Sequence, residues 1–135
     1  MKNYEERITH KERFAQQLIF DGVGQGQCYP TDYDAVLEVD FKYWFGFEVK
    51  KAGKDMPWGQ KLSYTRNVDV WEETGRVAFA FIAEHNVRDP KVPVMLKDCE
   101  ITKYYTKGRW RQFPYPLTVN QVIDMLKRKY NITKI

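Results

Sequence analysis

Asp34, Glu48 and Lys50 are of the chemical types that metal-assisted hydrolysis of a phosphodiester requires. That reaction needs a divalent ion to polarise a phosphoryl oxygen and activate water, and a positive group to neutralise charge developing on phosphorus. Mg2+ takes hard oxygen ligands, commonly one or two carboxylates completed by water and substrate phosphate. Asp34 and Glu48 would supply the carboxylates. Lys50, two residues on, would supply an ammonium that assists the attacking water and stabilises the transition state. A Glu-x-Lys triplet alone is a common alternation on exposed strands, so the chemistry depends on elements that bring Asp34 to it.

Those elements read as two strands. Ala35, Leu37 and Val39 alternate with Asp34, Val36 and Glu38, the pattern of a strand with one core face. After a turn at residues 40–42, Phe45, Phe47 and Val49 form the core side of a second strand, and Trp44, Gly46, Glu48 and Lys50 share its opposite face. Paired as a hairpin, the strands would bring Asp34 and Glu48 together near one end of the ribbon. Asp32 has the same parity as Asp34 and is an alternative ligand; Asp34 is preferred because the apolar alternation starts directly after it.

Before the strands, residues 4–20 carry helical periodicity, with Ile8, Phe14, Ala15, Leu18 and Ile19 in one arc and Glu12 just beyond its edge. A Glu there needs a partner or a cation if it leans inward. Gly22 stops this helix, and Gly22-Val23-Gly24-Gln25-Gly26 reads as a connector, because the Lys-Ser/Thr of a nucleotide loop is missing. Beyond the strands, residues 58–74 form a helix ended by Gly75, with Gln60 and Tyr64 on one face. The unbroken apolar run at residues 77–83 reads as a central strand covered on both faces, which implies helices on both sides of the sheet.

Residues 94–96 are a further short strand candidate, and residues 101–105 and 109–113 pair as a hairpin across Lys107-Gly108. This hairpin mixes Lys103, Lys107, Arg109 and Arg111 with Tyr104, Tyr105 and Trp110. Such a mixture can grip phosphates and stack on bases, and a charge-protected sheet edge has the same composition. Thr118-Val119-Asn120-Gln121 matches a capping box opening a helix with Val122, Ile123 and Leu126 inward, and Lys127-Arg128-Lys129 suits its C-terminal dipole.

Bulk properties narrow the class. The 135 residues fit one domain, and 43% hydrophobic with 16% aromatic content is globular. No apolar run is long enough to span a membrane, and the polar N-terminus does not resemble a signal peptide. Cys28 and Cys99 are too few and too far apart for a zinc site or a disulfide framework, so ordinary thiols in a reducing, cytoplasmic setting are expected. His10 and His85 have no metal-ligand spacing and are expected at the surface. Net charge is +4, with residues 1–40 at −4 and residues 41–135 at +8. That asymmetry suits carboxylates for cations early and a polyanion partner later.

An acid opening a two-strand hairpin that ends in Glu-Val-Lys, with a helix before it and a Gln-bearing helix after it, resembles the PD-(D/E)xK nuclease superfamily over roughly residues 5–84. Its Holliday-junction-resolvase-like and RecB-like members are the nearest in pattern. The resemblance implies an α/β fold with a mixed central sheet flanked by helices on both faces, a restriction-endonuclease-like core. To this the chain would add a C-terminal hairpin and helix at about residues 94–130, all in a single nuclease-like domain. It implies Mg2+, with Mn2+ as a substitute, held by Asp34 and Glu48, with the Val49 carbonyl and Glu12 as further ligands. Lys50 would be the catalytic lysine, and Gln60 and Tyr64 would correspond to the Gln-x-x-x-Tyr feature of RecB-like members. Lys51 and Tyr64 would contact DNA, joined by Lys103, Arg109 and Arg111 of the basic hairpin, which lies beyond the reach of the resemblance. Tyr33 stands where the family name has Pro. The activity implied is DNA hydrolysis on a branched or single-stranded substrate, by a homodimer or a subunit of a replication or recombination complex. The alternative is a non-catalytic nucleic-acid-binding module on the same fold.

Overall fold

A computed structural model describes residues 33–135. The helix expected at residues 4–20, the glycine-rich connector, Glu12, Asp32, Cys28 and His10 lie outside the described residues.

The anticipated hairpin forms from β1 (Ala35–Val39) and β2 (Tyr43–Lys51), which pair antiparallel with Ala35 opposite Phe47 and Val39 opposite Tyr43. The connecting residues 40–42 are too few to permit slippage, and Asp40 and Phe41 both take left-handed φ values, 54° and 58°. A bulky residue pays a steric cost there. Arg76 holds Phe41 in place: its Nε donates to the Phe41 carbonyl at 2.6 Å, and its guanidinium lies 3.9 Å from the ring centroid. The alternation on β1 is as expected, with Ala35, Leu37 and Val39 more buried than Val36 and Glu38.

Helix α1 (Trp58–Glu73) follows, ending at Thr74 before Gly75, which has φ 80°. Strand β3 (Val77–His85) then returns parallel to β2 with Phe45 beside Phe79 and Glu48 beside Ile82. β4 (Glu100–Thr106) runs antiparallel to β3, and the far edge of β4 carries β5 (Arg109–Arg111) and β6 (Leu117–Thr118). Lys107 and Gly108 link β4 to β5 with φ of 50° and 81°, the double left-handed turn that a two-residue hairpin favours. The short strand anticipated at residues 94–96 does not form. Leu96–Asp98 is instead a single 3-10 turn, whose Met95 carbonyl accepts from the Asp98 amide. Val94 and Met95 are exposed, so no apolar alternation had a surface to bury against. The second predicted strand of the C-terminal hairpin is also shorter, ending at Arg111 instead of residue 113.

Among the described residues the result is an α/β fold in which a mixed six-stranded sheet, ordered β1-β2-β3-β4-β5 with β6 also on β4, is covered by a helix on each face. On one face Phe45, Phe47 and Phe81 pack with Val122 and Leu126 of α2 (Val119–Tyr130). On the other, Trp44, Ala78, Ala80 and Ile82 pack with Tyr64 and Val68 of α1. The reading of β2 as having a single core face is therefore corrected. Trp44 and Glu48 are buried as deeply as their neighbours, because α1 covers the side that sequence left open to solvent. Among the described residues no helix is long and apolar enough to cross a membrane.

Candidate active site

The hairpin register, extended by one residue beyond the Ala35–Phe47 pair, sets Asp34 across from Glu48 on the face that α1 covers. Directly opposed residues on an antiparallel pair project to the same side. The Asp34 carboxylate is anchored there, its Oδ2 accepting the Val49 amide proton at 2.8 Å. One backbone unit thus carries Glu48 and Lys50 on either side of Val49 and fixes Asp34 by its own N–H. The Val49 side chain packs into the opposite face.

Glu48 is only 3% exposed. An isolated carboxylate would be costly there, and charge-assisted hydrogen bonds offset that cost. Its Oε1 accepts from Gln60 Nε2 at 3.2 Å and lies 3.3 Å from Lys50 Nζ, while its Oε2 accepts from the Tyr64 hydroxyl at 2.8 Å. Gln60 and Tyr64 reach it together because four residues on a helix return to the same face. The Tyr64 oxygen is also 3.2 Å from the Phe47 carbonyl, but a hydroxyl has one proton, and the shorter contact is to the carboxylate. Burial, and after it the hydrogen bond and charge of Glu48, push the Tyr64 hydroxyl far above the ordinary tyrosine range, so it stays protonated and keeps its proton for Glu48.

Tyr33 closes one side of this arrangement. Its ring lies 4.4 Å from that of Tyr64 and meets Trp44 edge-on at 5.8 Å, and its hydroxyl is 2.7 Å from Ser63 Oγ. Gly46 is required by space: a Cβ there would come within 2.5 Å of the Trp44 ring and 3.0 Å of Tyr64. Sequence reading assigned no role to Tyr33, Trp44 or Gly46. Their signal is present only as parity, since Trp44 and Gly46 share Glu48's face.

Of the residues singled out from sequence, Asp34, Glu48, Val49, Lys50, Gln60 and Tyr64 come together. Among the described residues, the remaining candidates, Lys51, Lys103, Arg109 and Arg111, do not form one surface. Lys51, one step past Lys50, is of opposite parity and exposed at the strand end. Lys103 sits beside Ile82 on Glu48's face, whereas Arg109 and Arg111 alternate around Trp110 and share the parity of Tyr104, which belongs to the opposite face. Arg111 is further engaged, its Nη1 donating to the Thr106 carbonyl at 2.9 Å. The basic hairpin is thus divided by the sheet. His85 is half-buried, its Nδ1 accepting from the Val87 amide at 3.1 Å. Burial pushes the Cys99 thiol upward, so it stays protonated and unreactive.

Asp34 and Glu48 are the two carboxylates here that could contribute oxygens to a hard divalent cation. The register sets Asp34 and Glu48 across from each other, and Gln60, which donates to Glu48, has its Oε1 buried without a hydrogen-bond partner, an oxygen that bridging water would satisfy. Among the described residues no cluster of three His, Cys, Asp or Glu side chains could hold a metal. Two carboxylates with water and substrate oxygens are nonetheless a sufficient set for Mg2+. Comparison of the chain with protein-family models, curated proteins and solved structures finds no match, and the reading of this site rests on its geometry.

Proposed function

We propose that the protein is a Mg2+-dependent deoxyribonuclease, with Asp34 and Glu48 holding the ion and Lys50 acting on the scissile phosphate. The observation that carries this reading is the anchoring of Asp34 Oδ2 on the Val49 amide, between a buried Glu48 and a Lys50 only 3.3 Å from that Glu. A surface charge pair would not need a buried carboxylate supported by two further donors from a neighbouring helix. The topology supports it as well. An acid-bearing strand antiparallel to the Glu-x-Lys strand, then a helix and a parallel strand, is the connection expected of a restriction-endonuclease-like core.

A divalent ion at Asp34 and Glu48 would supply Lewis-acid charge to the phosphoryl oxygens. The chain's own groups do the remaining work. Gln60 and Tyr64 hold the Glu48 carboxylate in one orientation through their hydrogen bonds. The Val49 amide does the same for Asp34. Lys50, its ammonium beside Glu48, is positioned to stabilise charge on the phosphate and orient the attacking water.

One observation favours the non-catalytic alternative: both Glu48 oxygens already have protein donors. The two readings separate in a cleavage panel of single-stranded, duplex, flapped and four-way-junction DNA with Mg2+. The nuclease reading expects cleavage of at least one substrate, lost to background in Asp34→Asn and Glu48→Gln and reduced about 100-fold or more in Lys50→Ala. Binding without cleavage of any substrate by the wild type would establish the module instead.

A further inference from the structure

On Glu48's face, two strands away, stands a group of residues with no part in the carboxylate site. The register aligns Glu48, Ile82 and Lys103 across β2, β3 and β4. Neighbouring strands lie about 4.8 Å apart, which sets the Lys103 backbone about 10 Å from that of Glu48. Lys103 opens onto a cleft of about 400 Å3 lined also by Lys61, Trp110, Arg111 and Gln112. Lys61 and Lys103 bring the positive charge to it; Arg111 borders it from the strand edge, its guanidinium held by the Thr106 carbonyl. The carboxylate that meets them is Asp55, whose Oδ2 holds Lys61 at 2.9 Å and whose acidity is strengthened by Lys61, the Met56 amide and the charge of Lys103. The balance at the cleft is positive. Trp110 forms one wall, its indole held by packing on Tyr105 with ring centroids 5.5 Å apart.

We propose that this cleft anchors one nucleotide of a single-stranded nucleic acid, its phosphate between Lys61 and Lys103 and its base against Trp110. The anchored strand continues past Lys61 and Gln60, in the first turn of α1, towards Asp34 and Glu48. The direction of this path rests on the nuclease reading; the anchor itself does not. A stacked strand advances about 3.4 Å per nucleotide, so about 10 Å corresponds to roughly three stacked nucleotides, or fewer when the strand is extended. The strand is single because the cleft has walls on which a base can lie only after leaving its stack, and a duplex would present phosphates alone. Positive charge beside an aromatic wall is the combination that single-strand binding uses.

The test measures binding in EDTA, where cleavage does not intrude, with a fluorescent oligothymidylate, an abasic strand of equal length, and a duplex. Wild type is expected to bind the oligothymidylate more tightly than the abasic strand. Lys103→Ala should weaken oligothymidylate binding about 5- to 10-fold and lower the salt slope by about 0.7, the contribution of one single-strand phosphate contact. Lys103→Arg should retain the slope. Trp110→Leu, checked for folding by its thermal melt, should erase the preference for the strand with bases. An unchanged slope in Lys103→Ala, or an equal loss of duplex binding, would overturn the proposal in favour of lysines that serve only as solvated partners of Asp55. Cleavage by Glu48→Gln, read separately in Mg2+, keeps the two ideas apart. Retained cleavage there together with the Lys103 effect would remove the nuclease reading and leave the anchor standing. Lost cleavage with no Lys103 effect would do the reverse.

Discussion

The two faces of the sheet are built by different physics. The face under α2 is a stack of rings: Phe47 lies 5.1 Å from Phe81, Phe81 5.6 Å from Phe79, and Tyr104 4.6 Å from Phe113. Its helix is locally complete. Thr118 and Gln121 close a reciprocal capping box, Lys127, Arg128 and Lys129 complement the last turn, and Asn131 ends it in the left-handed conformation. The face under α1 is cross-linked by polar side chains instead. Tyr64 and Gln60 reach Glu48, Tyr105 donates to Asp69 at 2.8 Å, and Glu72 accepts from the Lys107 amide. α1 has no side-chain cap and no acidic first turn. Apolar packing tolerates small shifts, whereas hydrogen bonds specify position. The face that must hold Glu48 still is the one held by directed bonds.

Four substitutions would break or sharpen this contrast. Phe47→Ala removes a fully buried ring from the stacked face and should cost about 3–5 kcal/mol in denaturant unfolding. A cost below about 1 kcal/mol would show that the rings are not the main support. Gly46→Ala forces a methyl against Trp44 and Tyr64 and should cost about 1–3 kcal/mol. It should also reduce Mg2+-dependent cleavage, because Tyr64 must move away from Glu48, so a stable variant with wild-type cleavage would separate packing from the site.

Tyr64→Phe leaves a Glu48 oxygen short of its hydroxyl donor, at a cost of about 1–3 kcal/mol near neutral pH. It should also change the alkaline limb. The Tyr105 hydroxyl is pushed up to about 12 by burial and by Asp69, and Tyr64 lies higher still. A raised tyrosine contributes stability that is present below its unfolded value of about 10 and is lost as pH rises towards its folded value. Wild-type stability should therefore fall between pH 10 and about 12, and fall less steeply in the double variant Tyr64→Phe, Tyr105→Phe. Parallel curves would refute the assignment. The smallest effect is expected at Thr118→Ala, about 1 kcal/mol from loss of the cap, with the site unaffected.

Much of the framework was legible because it is local. Alternation set the side of each residue on β1 and β2, a three-residue turn fixed their register, and the pair Asp34 and Glu48 followed from that register. The capping box and the Lys107-Gly108 turn are likewise encoded within a few residues. The start and stop of α1 and the shared face of Gln60 and Tyr64 were legible too, but the reason for that face was not. The helix covers a polar site, and several residues facing the sheet are chosen for hydrogen bonds.

The amino-acid sequence by itself determined the two strands, their facing residues and the Glu-x-Lys pattern, since backbone pleat and loop length act over neighbouring positions. Only the tertiary structure decided that Glu48 is buried, that Tyr33, Trp44 and Gly46 shape its surroundings, and that Lys103 parts from Arg109 and Arg111 on opposite faces. Those outcomes depend on which face α1 covers and on which strands become neighbours, contacts between residues far apart in the chain that no local period encodes.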